Sequence, residues 1–108
     1  MIKAEFFTQK GDIVKFVLDG HAGYSDGDDI VCASVSSVAW AVLNGLEKVA
    51  GIKFGYQTEE GYIYFVLPED INEKDKVSAN LLLDTMYLYL KELEDQYPDY
   101  ISLTKLEV

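Results

Sequence analysis

Residues 20–36 read GHAGYSDGDDIVCASVS and contain the only histidine and the only cysteine of the chain, His21 and Cys32. A glycine-rich, acidic loop here runs directly into an apolar helical pattern, so the segment sets the junction between the first strands and the first helix. Cys32 falls in the first helical turn, where unpaired backbone N–H groups and the helix dipole favour a thiolate over a thiol. The segment therefore predicts a reactive sulfur.

The loop that precedes this helix is predicted to be irregular and mobile. Between Asp19 and Asp29 it holds three glycines and four aspartates in eleven positions, a composition too polar for a strand or helix. Asp29 is the predicted N-cap, so the backbone N–H of Cys32 is expected to be one of the free donors at the helix start.

Two helices follow from the spacing of apolar residues. The first runs from Ile30 to about Val49 and ends before Gly51; because it is apolar most of the way round, we expect a central, well-covered helix. The second starts in a capping-box-like pattern at Asp70 and Glu73 and runs towards Pro98. Its expected core residues are Val77, Leu81, Leu82, Met86, Leu90, Leu93 and Tyr97.

Five strands complete the prediction. Hairpins are expected from Ile2–Thr8 with Ile13–Leu18 and from Lys53–Thr58 with Tyr62–Leu67, and a closing strand from Tyr100–Val108. The element order is then ββαββαβ. This order is typical of an α+β two-layer sandwich, with two helices packed on a mixed, mostly antiparallel sheet.

Length and charge limit the class of protein. A chain of 108 residues predicts a single domain over residues 1–108. The net charge is −10, and all nine cationic side chains of the Lys/Arg type are lysines. This charge disfavours binding to nucleic acid and anionic membranes and favours binding to basic peptides. The alternative is that the acidic surface only keeps the protein soluble. We expect no signal peptide, no apolar run that approaches the length of a bilayer span, no internal disulfide and a cytoplasmic location.

The composition of the loop is compatible in part with four chemistries. The loop lacks the Gly-Lys-Ser/Thr ending of a phosphate-binding loop and the later glycine and glutamate of a calcium-binding loop. The chain also has too few cysteine and histidine ligands for a structural zinc site, so no cofactor or metal is expected. A Cys/His pair remains, in which a thiolate attacks, an imidazole moves the proton and helix-start amides hold the oxyanion. The alternative is an inert small cysteine and a solvated histidine. Ser36, one turn after Cys32, either supports the sulfur or only allows close packing.

The same residues carry a family resemblance. Gly20-His21-Ala22, followed by Gly27-Asp28-Asp29-Ile30-Val31-Cys32-Ala33 and then Ser36, resembles the signature of the ribosomal-processing cysteine proteases, the Prp or YsxB-like family. The resemblance implies a bacterial, homodimeric cysteine protease that removes an N-terminal extension from a large-subunit ribosomal protein. It implies cleavage after a pair of phenylalanines that precedes small and basic residues.

The resemblance also implies roles for individual residues. Cys32 falls on the position of the nucleophile and His21 on that of the general base, while Gly20, Asp29 and Ser36 fall on supporting positions. Asp29 has two possible roles, as an N-cap or as the group that orients His21. Without substrate, we expect His21 to lie away from Cys32 until the loop closes.

Two questions stay open at this level. The apolar surface of the second helix is wider than one small domain buries, which favours a homodimer, whereas the alternative is aromatics half-exposed on the helix flank. The residues in excess are Leu83, Tyr87, Leu88 and Tyr89. The competing function is a non-catalytic module for ribosome assembly or peptide binding, which would keep the fold and the groove without turnover.

Overall fold

The computed structural model describes all 108 residues and confirms the order ββαββαβ. A single π-helical turn, Gly45–Val49, extends the first helix towards Gly51, whose φ of +68° ends it. The elements are β1 (Ile2–Gln9), β2 (Asp12–Asp19), α1 (Ile30–Asn44), β3 (Gly55–Glu59), β4 (Tyr62–Val66), α2 (Glu73–Gln96) and β5 (Ile101–Glu107).

The five strands form one sheet in the order β3-β4-β2-β1-β5. All neighbours are antiparallel except β1 and β5, which are parallel, so the predicted α+β fold with a mixed, mostly antiparallel sheet is confirmed. The β1–β2 hairpin turns at Lys10 and Gly11, whose φ values of 53° and 85° are both left-handed. That conformation matches the twist of the strands it joins.

The core lies between one face of the sheet and the two helices. Phe6, Phe16 and Phe65 come from three neighbouring strands, with ring centroids 5.6 Å apart for the first pair and 4.9 Å for the second. All three are fully buried. The helices cover this aromatic row with Val31, Val35, Leu46, Leu83, Met86 and Leu90.

The prediction that the first helix is well covered is wrong. Val31, Val35 and Ala39 face the sheet, whereas Ser37 and Ala41 on the other side are exposed. The reason is the two-layer arrangement, in which nothing covers the outer face of a helix. Apolar spacing predicts that one face of a helix is buried, but it does not show whether another layer of structure covers the opposite face.

The expectation about apolar runs is also corrected. The helical run Ile30–Val49 is, by length and composition alone, long and apolar enough to cross a membrane. Core helices of soluble proteins pass the same test, and Val35, Ala39 and Val42 of this run belong to the core described above. The run is therefore weak evidence for a membrane span.

The second helix starts later than predicted and turns a different face inward. Its N-cap is Asn72 rather than Asp70, and Asn72 Oδ1 accepts a hydrogen bond from the backbone N–H of Asp75 at 2.8 Å. Val77 and Leu81, expected in the core, are 60% and 69% exposed. The buried face instead consists of Ala79, Asn80, Leu83, Met86, Leu90 and Leu93.

A buried asparagine joins the second helix to the sheet. The Asn80 side chain accepts a hydrogen bond from Ile13 N–H at 2.8 Å and donates one to the Ile13 carbonyl at 3.3 Å. The register of β1 and β2 shifts between Phe7 and Thr8, next to this position. Both backbone groups of Ile13 therefore have a partner at the irregularity, and no buried polar side-chain atom of the structure lacks one.

Candidate active site

The predicted site lies where β2 ends and the long loop begins. Gly20 has a φ of +105°, and a Cβ built there would lie 2.5 Å from the carbonyl oxygen of Met1. Its N–H donates to the carbonyl of Gly61, in the β3–β4 turn, at 2.8 Å. A glycine is required at this position by both conformation and space, and it directs the loop past the β3–β4 turn.

Cys32 occupies the first turn of α1 and is partly buried. The backbone N–H of Ala22 donates a hydrogen bond to its Sγ at 3.2 Å. An N–H directed at sulfur stabilises the thiolate that nucleophilic attack requires. The donor is the residue after His21, so the same loop brings a backbone amide to the sulfur and the imidazole to the same cleft.

Asp29 is the N-cap, as predicted. Its Oδ1 accepts from the N–H groups of Val31 and Cys32, both at 3.0 Å, and its Oδ2 accepts from Tyr24 N–H at 3.0 Å. These bonds, that of the Cys32 N–H first, hold the pKa of the Asp29 carboxyl below its usual value. Asp29 forms no hydrogen bond or ion pair with His21, so its role in the structure is to cap α1 and fasten the loop.

This cap overturns one prediction. The Cys32 N–H was expected to be free to hold an oxyanion, but Asp29 Oδ1 accepts from both Cys32 N–H and Val31 N–H. The sequence rule places free amides at a helix start, and the same rule provides a capping side chain to occupy them. The Ala22 N–H is the backbone donor that the structure places on the sulfur.

His21 is exposed and lies against the β3–β4 turn. A Cβ built at Gly61 would lie 2.7 Å from Nε2 of His21, so the imidazole fills the space that a side chain at Gly61 would need. No hydrogen bond joins His21 to Cys32. The structure thus brings the two residues to one cleft without direct pairing.

The cleft has a volume of about 400 Å³. Four of the five predicted site residues line it, namely Gly20, His21, Cys32 and Ser36, while Asp29 does not. Ser36 makes no hydrogen bond to the sulfur, so support of the thiolate through its hydroxyl is not seen. The other lining residues are Ile2, Leu18, Val35, Trp40, Thr58, Glu59, Gly61, Tyr62 and Ile63.

Sequence reasoning missed Trp40 and Gly61. Trp40 lies one turn after Ser36 on the same helix face, so the spacing in the sequence was enough to place it at the site. No local signal marks Gly61, because its contact with His21 depends on how a distant hairpin packs. No group of three or more His, Cys, Asp or Glu side chains is arranged to hold a metal ion.

Comparison with known proteins identifies the family. The family model described as "Cysteine protease Prp" matches residues 1–102. The chain belongs to the Prp family of cysteine proteases. The resemblance drawn from the motif is thereby confirmed, and the chain is an enzyme of the cysteine protease class.

Relatives named "Ribosomal processing cysteine protease Prp" are found in two bacteria. The Bacillus subtilis protein is 32% identical over 95 residues, covering 85% of this chain and 85% of its own length. The Staphylococcus aureus protein is 28% identical over 99 residues, covering 89% of this chain and 90% of its own. The similarity therefore extends over nearly the whole of each protein.

Solved structures agree with the fold of this Prp-family chain. SMU.848 from Streptococcus mutans has a TM-score of 0.88 and 31% identity, covering 100% of this chain and 96% of its own. The essential ribosomal processing protease Prp of S. aureus, crystallised with a covalently linked product peptide, has a TM-score of 0.86 and 26% identity, covering 97% and 99%.

Proposed function

We propose that this chain is an endopeptidase in which Cys32 is the nucleophile and His21 the general base. The observation that carries the proposal is the hydrogen bond from the Ala22 N–H to Cys32 Sγ at the helix start, with His21, the preceding residue, in the same cleft. The proposed substrate is the N-terminal extension of a bacterial large-subunit ribosomal protein. The proposed cut follows a Phe-Phe pair.

The proposed reaction proceeds through a thioester. His21 takes the proton of the Cys32 thiol as the sulfur attacks the carbonyl carbon of the scissile peptide bond, and it then gives this proton to the leaving amine as the C–N bond breaks. Water then loses a proton to His21 and attacks the thioester, which releases the new carboxyl end and restores the thiol. Each step needs His21 within hydrogen-bond reach of the reacting atoms, and the β3–β4 turn at Gly61 forms the wall of the cleft against which the ring is held.

The composition supports a basic, aromatic substrate. The chain carries a net charge of −10, and a basic ribosomal tail is drawn towards such a surface. The cleft offers apolar contacts from Val35, Trp40 and Ile63 for bulky side chains beside the cut. Loop closure over these side chains would exclude water from the thioester.

We also propose that the protein is a cytoplasmic homodimer. On the outer face of α2, Val77, Leu81 and Leu88 are 60%, 69% and 64% exposed, and a second copy would cover this apolar strip. A single cysteine that has no partner in the chain suits a reducing compartment.

The test uses a ribosomal protein that carries the N-terminal extension. Incubation with the native chain should shorten it at one bond after Phe-Phe, located by mass spectrometry. Cys32→Ala should abolish the cut while peptide binding persists, and His21→Ala should slow it by about 100-fold or more. An equal yield of fragment with Cys32→Ala would contradict the assignment of the nucleophile, and binding by the native chain without any cut would favour a non-catalytic module.

A further inference from the structure

The edge strand β3 lies beside the cleft and has a free outer side. It pairs with β4 alone, and no other backbone hydrogen bond reaches Gly55–Glu59. All five of its residues are exposed. A strand edge of this kind is a template on which an extended peptide can add a further strand.

The inner face of β3 continues the cleft. Tyr56 and Thr58 pair with Phe65 and Ile63, which point into the core, so both side chains turn to the helix side of the sheet. Thr58 lines the cleft of Cys32. Tyr56 lines a smaller pocket of about 40 Å³ together with Trp40, and Trp40 also lines the cleft. The groove between α1 and β3 therefore leads from Cys32 to Tyr56.

The aromatic side chains of this groove are partly exposed, and Tyr56 is held against a neighbouring ring. Trp40 is 42% and Tyr56 is 52% exposed. Phe54 packs against Tyr56 at 5.7 Å between ring centroids and against buried Phe65 at 5.2 Å, so the pair is anchored to the core. Fixed aromatic surface of this kind binds bulky apolar side chains with little loss of conformational entropy.

The acidic loop lies on the other side of Cys32. Its Tyr24 packs on Tyr97 and Tyr100, next to the start of β5, which is the opposite edge of the sheet from β3. The same loop carries Asp26 and Asp28, both exposed. A peptide that crosses Cys32 thus has an aromatic groove on one side and carboxylates on the other.

We propose that the substrate's residues on the N-terminal side of the cut bond form an extra strand on the free edge of β3, with Trp40 and Tyr56 contacting their side chains. The basic residues after the cut then lie towards the acidic loop. This inference rests on the proposed function, since the cut bond is placed at Cys32. It assigns β3, Trp40 and Tyr56 to substrate recognition.

The test measures binding to the full chain carrying Cys32→Ala, so that the peptide stays intact. The probe is a synthetic peptide with Phe-Phe followed by small and basic residues, and the readout is the fluorescence of Trp40, the only tryptophan of the chain. Strand residues pair with a neighbour at every second position, so N-methylation along the N-terminal half should weaken binding about tenfold at alternate positions only.

Side-chain variants complete the test. Tyr56→Ala in the same background should weaken binding about tenfold, whereas Leu106→Ala, an exposed apolar residue on the opposite edge strand β5, should leave it unchanged. Uniform sensitivity to N-methylation, or binding without a change in Trp40 emission, would contradict the proposal that the peptide binds in the groove on β3. If the alternating pattern is observed but the native chain leaves the peptide uncut, the proposed protease function is contradicted, whereas the assignment of the groove as the peptide-binding site is supported.

Discussion

The imidazole of His21 rests on Gly61, so closely that a Cβ on Gly61 would lie 2.7 Å from Nε2. The contact joins the loop that carries the proposed general base to the turn between β3 and β4. In addition, a hydrogen bond from Gly20 N–H to the Gly61 carbonyl at 2.8 Å holds the same two segments together. The β3–β4 turn is therefore part of the active-site architecture.

Gly61→Ala should impair catalysis beyond its effect on folding. The added methyl group displaces the His21 ring, and we expect kcat to fall about 10- to 100-fold. Gly51→Ala is the matched control, because Gly51 has a φ of +68° against +70° for Gly61 but nothing within 4 Å of a built Cβ. Peptide cleavage and thermal unfolding should be measured for both; equal kcat in two equally stable variants would contradict the role of Gly61.

Asp29 should make stability depend on pH in the acid range. Its pKa is lowered in the folded state from the usual value of 3.8, so its stabilisation is complete above that value. It is lost as the pH falls below 3.8 and through the folded pKa. Urea unfolding of the wild type and Asp29→Asn at a series of pH values should show the difference between them shrinking towards acid pH.

The asparagine variant is informative because its side-chain oxygen can still cap α1 but carries no charge. The pKa of Glu94 is also lowered, chiefly by the hydrogen bond from Lys91, and this group is present in both proteins. The comparison therefore isolates Asp29. A difference in unfolding free energy that is constant with pH would show that the carboxylate contributes no pH-dependent stabilisation.

Asn80→Ala should destabilise the fold by about 2–4 kcal/mol, because it leaves the buried N–H and C=O of Ile13 without partners. Denaturant unfolding measures the change. Asn44→Ala, at an exposed position of α1 whose side chain makes no cap hydrogen bond, should change stability by less than about 0.5 kcal/mol. Equal effects of the two variants would show that the hydrogen bonds between Asn80 and Ile13 are not needed for stability.

The proposed dimer predicts a change in assembly. Leu81→Asp combined with Leu88→Asp places two charges on the apolar strip of α2 and should convert a dimer into a folded monomer, seen by analytical ultracentrifugation. Leu106→Asp puts one negative charge on an exposed position of β5 and should leave assembly unchanged. A wild type that sediments as a monomer at all concentrations would contradict the proposal.

Local patterns predicted much of this fold and site. The two hairpins, the closing strand and the cap at Asp29 depend on neighbouring residues, and the structure confirms each of them. The inward face of α2 was not predicted correctly, since Val77 and Leu81 repeat at helical spacing as regularly as the residues that are buried. Which stripe meets the sheet is decided by the partner surface, and one sequence pattern does not contain that information.

The same limit applies to the site. Placing His21 and Cys32 in one cleft followed from a short loop and a helix start. The occupied amides of Val31 and Cys32, and the contact of His21 with Gly61, follow from side-chain reach and from packing between segments distant in the chain. Such contacts can be seen only in the three-dimensional structure.

The hydrogen bond from Ala22 to Cys32 also bears on inhibition. An electrophilic inhibitor that alkylates the sulfur turns it into a thioether, which is a weak hydrogen-bond acceptor, so the Ala22 N–H needs another acceptor. A warhead that places its own carbonyl oxygen near that N–H would retain the interaction after the covalent bond forms, whereas a plain alkyl halide would leave the donor unpaired.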